Sequence, residues 1–298
     1  RGTKGNGTLM GLLSLFADVL FVGQSLVGPT LPPLLETALK QMGEPAAVAA
    51  QVIDAAPLSY AWDHADESAQ DARVRLAQRP ADVVILTEAQ PIAATVATNA
   101  SADAVARFGG LALQANPDAR VYVYETWPSL SQTGPSWREQ IDLDLPVWET
   151  LVRDASAKLG HKVELIPAGQ AMAHLADAVA AGQVAGLADI RDVFADDALP
   201  NAKGWYFLAM LHAAAITGKS PVGLPAKLTR SWASRDAVIA QDTAAGLQAV
   251  AWESLQSYVP AATPAPSAAV LVPAQDQIIA AAPEAAFPTF PPVTNPNL

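Results

Sequence analysis

Ser25 has the sequence setting that is most typical of chemistry in this 298-residue chain. It follows the apolar run Val19–Val22 in the order Gly23-Gln24-Ser25, and Pro32 lies at the opening of an amphipathic segment. Large and β-branched apolar residues that end at a glycine predict a buried parallel strand, and the proline predicts a helix start. A serine on the turn between them lies at the carboxyl edge of the sheet, where α/β folds place their sites. A plain strand-to-helix turn with one polar residue is the alternative interpretation.

A reactive serine needs a base, because its hydroxyl is inert at neutral pH until a neighbouring group takes the proton. The chain has four histidines, His64, His161, His174 and His212. The predicted elements place His64 at the carboxyl edge, His174 and His212 inside helices, and His161 in a turn away from that edge. His64 is therefore the candidate base, and a hydrogen bond to a neighbouring aspartate is its alternative role.

Composition excludes several classes of function. The net charge of −11 and the scattered lysines and arginines argue against a nucleic-acid partner, because no basic surface is available for phosphates. The absence of cysteine excludes disulfides, cysteine-ligated zinc, iron–sulfur clusters and cysteine nucleophiles. No set of histidine and acidic residues has metal-ligand spacing, and the first turn lacks a glycine-rich phosphate cradle. The sequence therefore predicts no metal, nucleotide or other cofactor.

Short apolar runs alternate with longer amphipathic segments, which predicts an α/β fold with a parallel sheet. The predicted strands cover 19–22, 48–53, 82–86, 121–124 and 163–166. The predicted helices cover 31–42, 66–79, 101–115, 145–159, 170–181 and 204–218, with an aromatic loop at 60–64 and a polar loop at 129–141.

The ends of the chain differ from its middle. We expect an N-terminal extension over 1–17, the α/β domain over 18–228, a helical segment over 229–259 and an Ala/Pro-rich tail over 260–298. Arg1 and Lys4 precede a short apolar run, which is the residue order of a secretory signal, but the run is shorter than the ~20 residues of a membrane span. We expect a periplasmic or extracellular protein without a transmembrane helix, with the cytoplasm as the alternative.

Ordered sequence blocks carry a resemblance over about residues 19–225. They are Phe21–Val27 (FVGQSLV), Ile53–Leu58 with Trp62 and His64, Ile85–Glu88 (ILTE), Tyr124–Trp127 (YETW) and Phe194–Pro225. In these blocks the chain resembles bacterial SGNH-like proteins of the SGNH/GDSL hydrolase superfamily. The resemblance implies a flavodoxin-like three-layer sandwich around a five-stranded parallel sheet, which is a serine esterase fold.

The resemblance also implies the roles of individual residues. Ser25 matches the nucleophile, and Asp196 matches the aspartate of the Asp-x-x-His element, but Leu199 stands where the histidine belongs. Leucine can neither accept nor donate a proton. The family's oxyanion donors map onto the Ser25 turn, onto Ala55 in place of a glycine, and onto Gln90 as a substitute for the amide after the third strand.

A ligand cleft is expected beside these residues. Its predicted lining is Trp62, His64, Glu88 and Trp127, in which the two tryptophan rings would bind a sugar. Ordinary core packing is the alternative for both tryptophans.

Two functions from different classes follow. The first is an SGNH-like protein that has lost catalysis and serves as a binding or structural subunit, joined to another chain or a second copy through its terminal extensions. The second is an active serine esterase or carbohydrate O-deacetylase that uses Ser25 with an atypical base on a carbohydrate or acyl ester ligand.

Overall fold

The computed structural model describes residues 17–228 and 239–260, which fall within one compact unit. The strands are β1 Ala17–Gly23, β2 Ala46–Val52, β3 Val83–Leu86, β4 Arg120–Tyr124 and β5 Val163–Ile166. The helices are α1 Leu31–Gln41, α2 Leu58–Asp63, α3 Ala72–Gln78, α4 Ile92–Thr98, α5 Ser101–Ala115, α6 Trp137–Leu159, α7 Ala168–Ala180, α8 Ala202–Thr217 and α9 Gln241–Ser257.

The five strands form one sheet in the order β2-β1-β3-β4-β5, and every pairing is parallel. β1 therefore lies between β2 and β3, as its apolar sequence predicts for a strand buried on both faces. This order, with helices on both faces, confirms the predicted flavodoxin-like three-layer sandwich.

Alternate residues of β1 point to opposite helical layers. Val19 and Phe21 pack into the core shared with α1, α7, α8 and α9, whereas Leu20 and Val22 pack into the core shared with α2 to α6. This period of two is the geometry of a β-strand. The two layers leave the carboxyl ends of the strands accessible to the connecting loops.

Two predicted loops are wrong. Residues 137–141 belong to α6 and not to a polar loop, because Ser136 and Glu139 form a capping box that starts the helix there. Pro146 lies inside the same helix, so the predicted helix start at residue 145, next to this proline, is too late in the chain. The predicted aromatic loop at 60–64 is mostly the short helix α2.

α9 packs against α7 and α8 and completes one helical layer. The Gln248 side-chain amide donates to the Tyr206 hydroxyl at 2.6 Å and to the Leu224 carbonyl at 2.7 Å. A helix predicted within 229–259 is thus present from Gln241, and residues 229–238 lie outside the described part. The predicted extension up to residue 16 and the tail from residue 261 also lie outside it.

Among the helices within 17–228 and 239–260, none is long and apolar enough to cross a membrane.

Gly204 in the first turn of α8 offers a test of this packing. A Cβ there would lie 2.3 Å from the Val193 carbonyl oxygen and 2.7 Å from Pro200 Cβ, so Gly204→Ala should lower the free energy of unfolding by about 1–3 kcal/mol. In α5 a Cβ at Gly110 would meet only Leu159 Cδ1 at 3.9 Å, so Gly110→Ala should raise it by about 0.5–1 kcal/mol. Urea unfolding measures both, and a Gly204→Ala variant as stable as the wild type would contradict the packing.

Candidate functional site

The loops after β1, β2 and β3 meet at the carboxyl edge of the sheet. The Ile53 N–H donates to the Gly23 carbonyl at 3.0 Å, and the Thr87 N–H donates to the Val22 carbonyl at 3.0 Å. The turn that carries Ser25 therefore lies between the loop of the predicted oxyanion residue and the loop after β3. This is the edge at which the sequence predicted the site.

Thr87 fixes the ends of three strands. A Cβ at Gly23 would lie 2.4 Å from Thr87 Cγ2, so β1 can approach β3 this closely only with glycine at that position. The Thr87 hydroxyl donates to the Tyr124 carbonyl at the end of β4 at 2.8 Å. The Tyr124 hydroxyl in turn donates to the Leu26 carbonyl at 3.3 Å, which joins β4 to the Ser25 turn.

Ser25 is half-buried and its hydroxyl is already engaged. Ser25 Oγ donates to Gln24 Oε1 at 2.9 Å, and the Leu26 N–H donates to the same oxygen at 2.9 Å. Gln24 itself is buried, which fixes its amide in this position. The hydroxyl proton thus points to a neutral amide oxygen, which cannot act as a general base.

The candidate base His64 faces its own helix. Its Nδ1 lies 3.2 Å from the Tyr60 carbonyl oxygen, and its ring stacks on the Tyr60 ring with centroids 3.8 Å apart. Across residues 17–228 and 239–260, no hydrogen bond joins a histidine to Ser25.

The other histidines have structural settings. His212 is fully buried in α8 with Nδ1 2.8 Å from the Leu208 carbonyl oxygen, and burial lowers its pKa to about 4. His174 Nδ1 lies 2.9 Å from Ser254 Oγ, between α7 and α9. His161 lies in the turn before β5, at the opposite edge of the sheet, as predicted.

Asp196 stabilises its own turn. Its Oδ1 accepts hydrogen bonds from the Ala198 N–H at 2.8 Å and from the Leu199 N–H at 2.7 Å. The carboxylate is exposed, whereas the Leu199 side chain packs against the hydrophobic core. The aspartate therefore shapes this loop, and the side chain three residues after it is apolar.

Trp127 anchors this Asp196 loop and does not line an open cleft. Its Nε1 donates to the Ala198 carbonyl at 3.1 Å, and its ring meets the Phe194 ring edge-on with centroids 6.1 Å apart. Because only 2% of Trp127 is exposed, its ring has no face free for a ligand in this structure.

Of the two predicted oxyanion residues, Ala55 is exposed, whereas the side-chain amide of Gln90 is already hydrogen-bonded. Ala55 has a φ of 55°, the left-handed conformation that glycine adopts without strain and alanine does not. Gln90 is engaged at both ends of its amide, because Nε2 donates to Thr126 Oγ1 at 3.2 Å and Oε1 accepts from the Ile92 N–H at 2.9 Å. Gln90 therefore ties the loop after β3 to the loop after β4.

Glu88 is fully buried beneath these loops. Its Oε1 accepts from the Leu58 N–H at 2.7 Å and from the Ala89 N–H at 3.1 Å, and burial raises its pKa. The carboxyl group thus holds the start of α2, directly after the Ala55 loop, against the end of β3. It has no exposed surface on which to contact a ligand.

Trp62 lies on the helical layer of α5. Its ring meets the Phe108 ring edge-on with centroids 4.9 Å apart, and the guanidinium groups of Arg73 and Arg107 lie 5.9 Å and 5.8 Å from its centroid. The four residues predicted to line one cleft thus have separate surroundings: Glu88 and Trp127 are buried, while Trp62 and His64 pack beside helices.

Three polar residues that the sequence interpretation gave no role turn out to organise the site. They are Gln24, Thr87 and Glu125, and all three directly follow a strand at its carboxyl end. A polar residue within two positions of a buried parallel strand is the signal that could have identified them.

Comparison with known proteins supports the fold. No protein-family model matches the sequence, and no curated protein matches it either. A DUF4886 family protein from Bacteroides uniformis is similar with a TM-score of 0.57 and 14% identity, over 81% of this chain and 95% of that chain. A candidate SGNH hydrolase from Slackia heliotrinireducens is similar with a TM-score of 0.45 and 22% identity, over 67% and 99%. Together with the strand order, the likeness to the DUF4886 family protein supports the predicted α/β fold, and at 14% identity it concerns the fold alone.

Ala55 provides a test of the oxyanion loop. Because a left-handed non-glycine residue costs about 1–2 kcal/mol, Ala55→Gly should raise the free energy of unfolding by about 1 kcal/mol after the added freedom of the unfolded chain is subtracted. The neighbouring Ala56 is buried and has no positive φ, so Ala56→Gly is the matched control and should be destabilising. Chemical denaturation compares the two, and a loss of stability in Ala55→Gly would contradict the loop conformation.

Proposed function

We propose that this protein is an SGNH-like scaffold that no longer hydrolyses esters and that acts by binding, as a binding or structural subunit of a protein assembly. The observation that carries the proposal is the hydrogen bond from Ser25 Oγ to Gln24 Oε1 at 2.9 Å. It directs the only proton that a nucleophilic serine must lose toward a group that cannot accept it.

The surroundings of Ser25 support the same conclusion. Leu199 matches the position of the histidine in the sequence resemblance, and the candidate base, His64, is stacked on Tyr60. The members of a catalytic triad act as one unit, so loss of the base alone removes most of the rate enhancement. Asp196 then has no imidazole to orient, and its hydrogen bonds to Ala198 and Leu199 give it a structural role instead.

Changes at the oxyanion position favour binding over catalysis as well. Asp54 adds an exposed carboxylate next to Ala55, and a second negative charge opposes an oxyanion. The Gln90 amide is directed to Thr126, so it is not free to stabilise a developing charge. Gln90 instead ties the loop after β3 to the loop after β4.

The partner proposed here is another protein chain or a second copy, bound through the terminal extensions. The support is compositional: an apolar segment near the start and an Ala/Pro-rich segment at the end flank an α/β unit that already has a complete core. The periplasmic or extracellular location likewise stays a prediction from the sequence.

A fluorophosphonate probe tests the proposal, because it reacts covalently with activated serines. We expect no labelling of the folded wild-type protein by intact mass, and none of the matched Ser25→Ala variant. Stoichiometric labelling of the wild type that disappears in Ser25→Ala would contradict the proposal and favour the esterase or O-deacetylase. His64→Ala would then be the next variant, to identify the atypical base.

A further inference from the structure

Glu125 is the residue that directly follows β4, and its carboxyl group is closely enclosed by the protein. It is completely buried, and its Oε2 accepts from the Gln170 N–H at 3.1 Å in the first turn of α7. A Cβ at Gly169 would lie 2.9 Å from Glu125 Cδ, so the first turn of α7 closes directly onto the carboxyl group.

The hydrogen-bond partners of the Glu125 carboxyl group are neutral N–H groups of Gly169 and Gln170. The Gln170 side-chain amide lies 3.5 Å from Oε1 and closer, at 3.2 Å, to the Ile141 carbonyl oxygen. Burial raises the pKa of Glu125 to about 8, with the N–H groups of Gly169 and Gln170 opposing that rise.

The titratable neighbours of Glu125 among the described residues disfavour a negative charge on its carboxyl group. Asp144 on α6 is buried, accepts a hydrogen bond from Gln140 at 2.8 Å and raises the pKa of Glu125 further by its negative charge. Tyr258, after α9, donates to Glu149 Oε1 at 3.1 Å, and burial, together with the nearby carboxylates of Glu149 and Glu125, raises its pKa. Neither group supplies a positive charge to an ionised Glu125.

Glu125 is also the first residue of the loop after β4, and this loop contacts the Asp196 loop. Two residues later, Trp127 donates to the Ala198 carbonyl at 3.1 Å, and the Leu130 N–H donates to the Asp197 carbonyl at 2.7 Å. A displacement at Glu125 would therefore be transmitted to the Asp196 loop.

We propose that Glu125 is a proton-dependent latch, which in its neutral form holds the β4 loop against α7 and so keeps the Asp196 loop in place. When the carboxyl group ionises, its charge needs water, and water enters only if the β4 loop moves away from α7. This goes beyond the proposed function and does not depend on whether Ser25 is reactive.

The sign of the pH effect follows from linkage. The open state has the ordinary pKa of an exposed glutamate and the latched state a raised one, so the latched state binds more protons between these two values. Opening should therefore become more frequent as pH rises through this window, by up to about tenfold per pH unit for one proton, and should level off above it.

Hydrogen exchange detected by mass spectrometry tests the latch on the whole chain. Protection factors, corrected for intrinsic exchange, are measured from about pH 5 to about pH 9 in peptides covering 125–130 and 195–200. We expect protection of both loops to fall by about tenfold per pH unit up to about pH 8, while peptides from β1 and α8 fall much less. Constant loop protection, or an equal fall in all peptides, would overturn the proposal.

Variants separate the latch from general effects of pH. Glu125→Gln cannot ionise and should remove the pH dependence of loop protection, whereas Glu139→Gln is the matched control, an exposed glutamate whose pKa is lowered by Ser136, and should leave it unchanged. Asp144→Asn provides a second test that does not require Glu125→Gln to fold: protection should level off at a lower pH, because the neighbouring charge is gone. An unchanged pH profile in either Glu125→Gln or Asp144→Asn would contradict the latch.

Discussion

The close approach of β1 to β3 at Thr87 is the constraint on which the rest of the site depends. Gly23 leaves room for the Thr87 methyl group, while the Thr87 hydroxyl binds the Tyr124 carbonyl on the next strand. Three strand ends are thereby fixed in one place, and the loops that leave them are forced to share hydrogen bonds. The Ser25 turn is rigid because it lies on this base.

Buried polar groups then connect the loops to the helical layers. Glu88 holds the start of α2, Glu125 holds the first turn of α7, and Gln90 bridges to Thr126. Each is fully or largely buried, so each hydrogen bond is costly to lose. The carboxyl edge of the sheet, where α/β folds place their sites, is here crossed by contacts that hold the loops together.

Much of the fold could be predicted from the sequence, because strand and helix periodicities are local. β5 and α5 match their predicted bounds, and Gly218 ends α8 with a φ of 67°, as expected for a helix-terminating glycine. α6 begins at Trp137, ahead of the predicted start at residue 145, because the capping box of Ser136 and Glu139 starts the helix there and Pro146 is accommodated inside it. This boundary is set by a local motif that competes with the helix-breaking tendency of proline.

The candidate site was less predictable, for a physical reason. Sequence blocks predict that Ser25, Ala55 and Asp196 lie in loops at the carboxyl edge of the sheet, but the direction of a side chain depends on partners that are distant in the chain. Trp127 reaches Ala198 across 71 positions, and Glu88 reaches Leu58 across 30. The burial of Trp127 and Glu88 follows from such contacts, which the local sequence pattern does not reveal.

The most direct test of the central claim, that Ser25 has no base, is the rate of hydrolysis of p-nitrophenyl acetate as a function of pH. The wild type and Ser25→Ala would be measured side by side with a buffer blank. The account predicts that the two profiles superimpose at all pH values. A wild-type rate that exceeds that of Ser25→Ala and rises with a single ionisation near neutral pH would show that a base acts on Ser25, and would contradict the account.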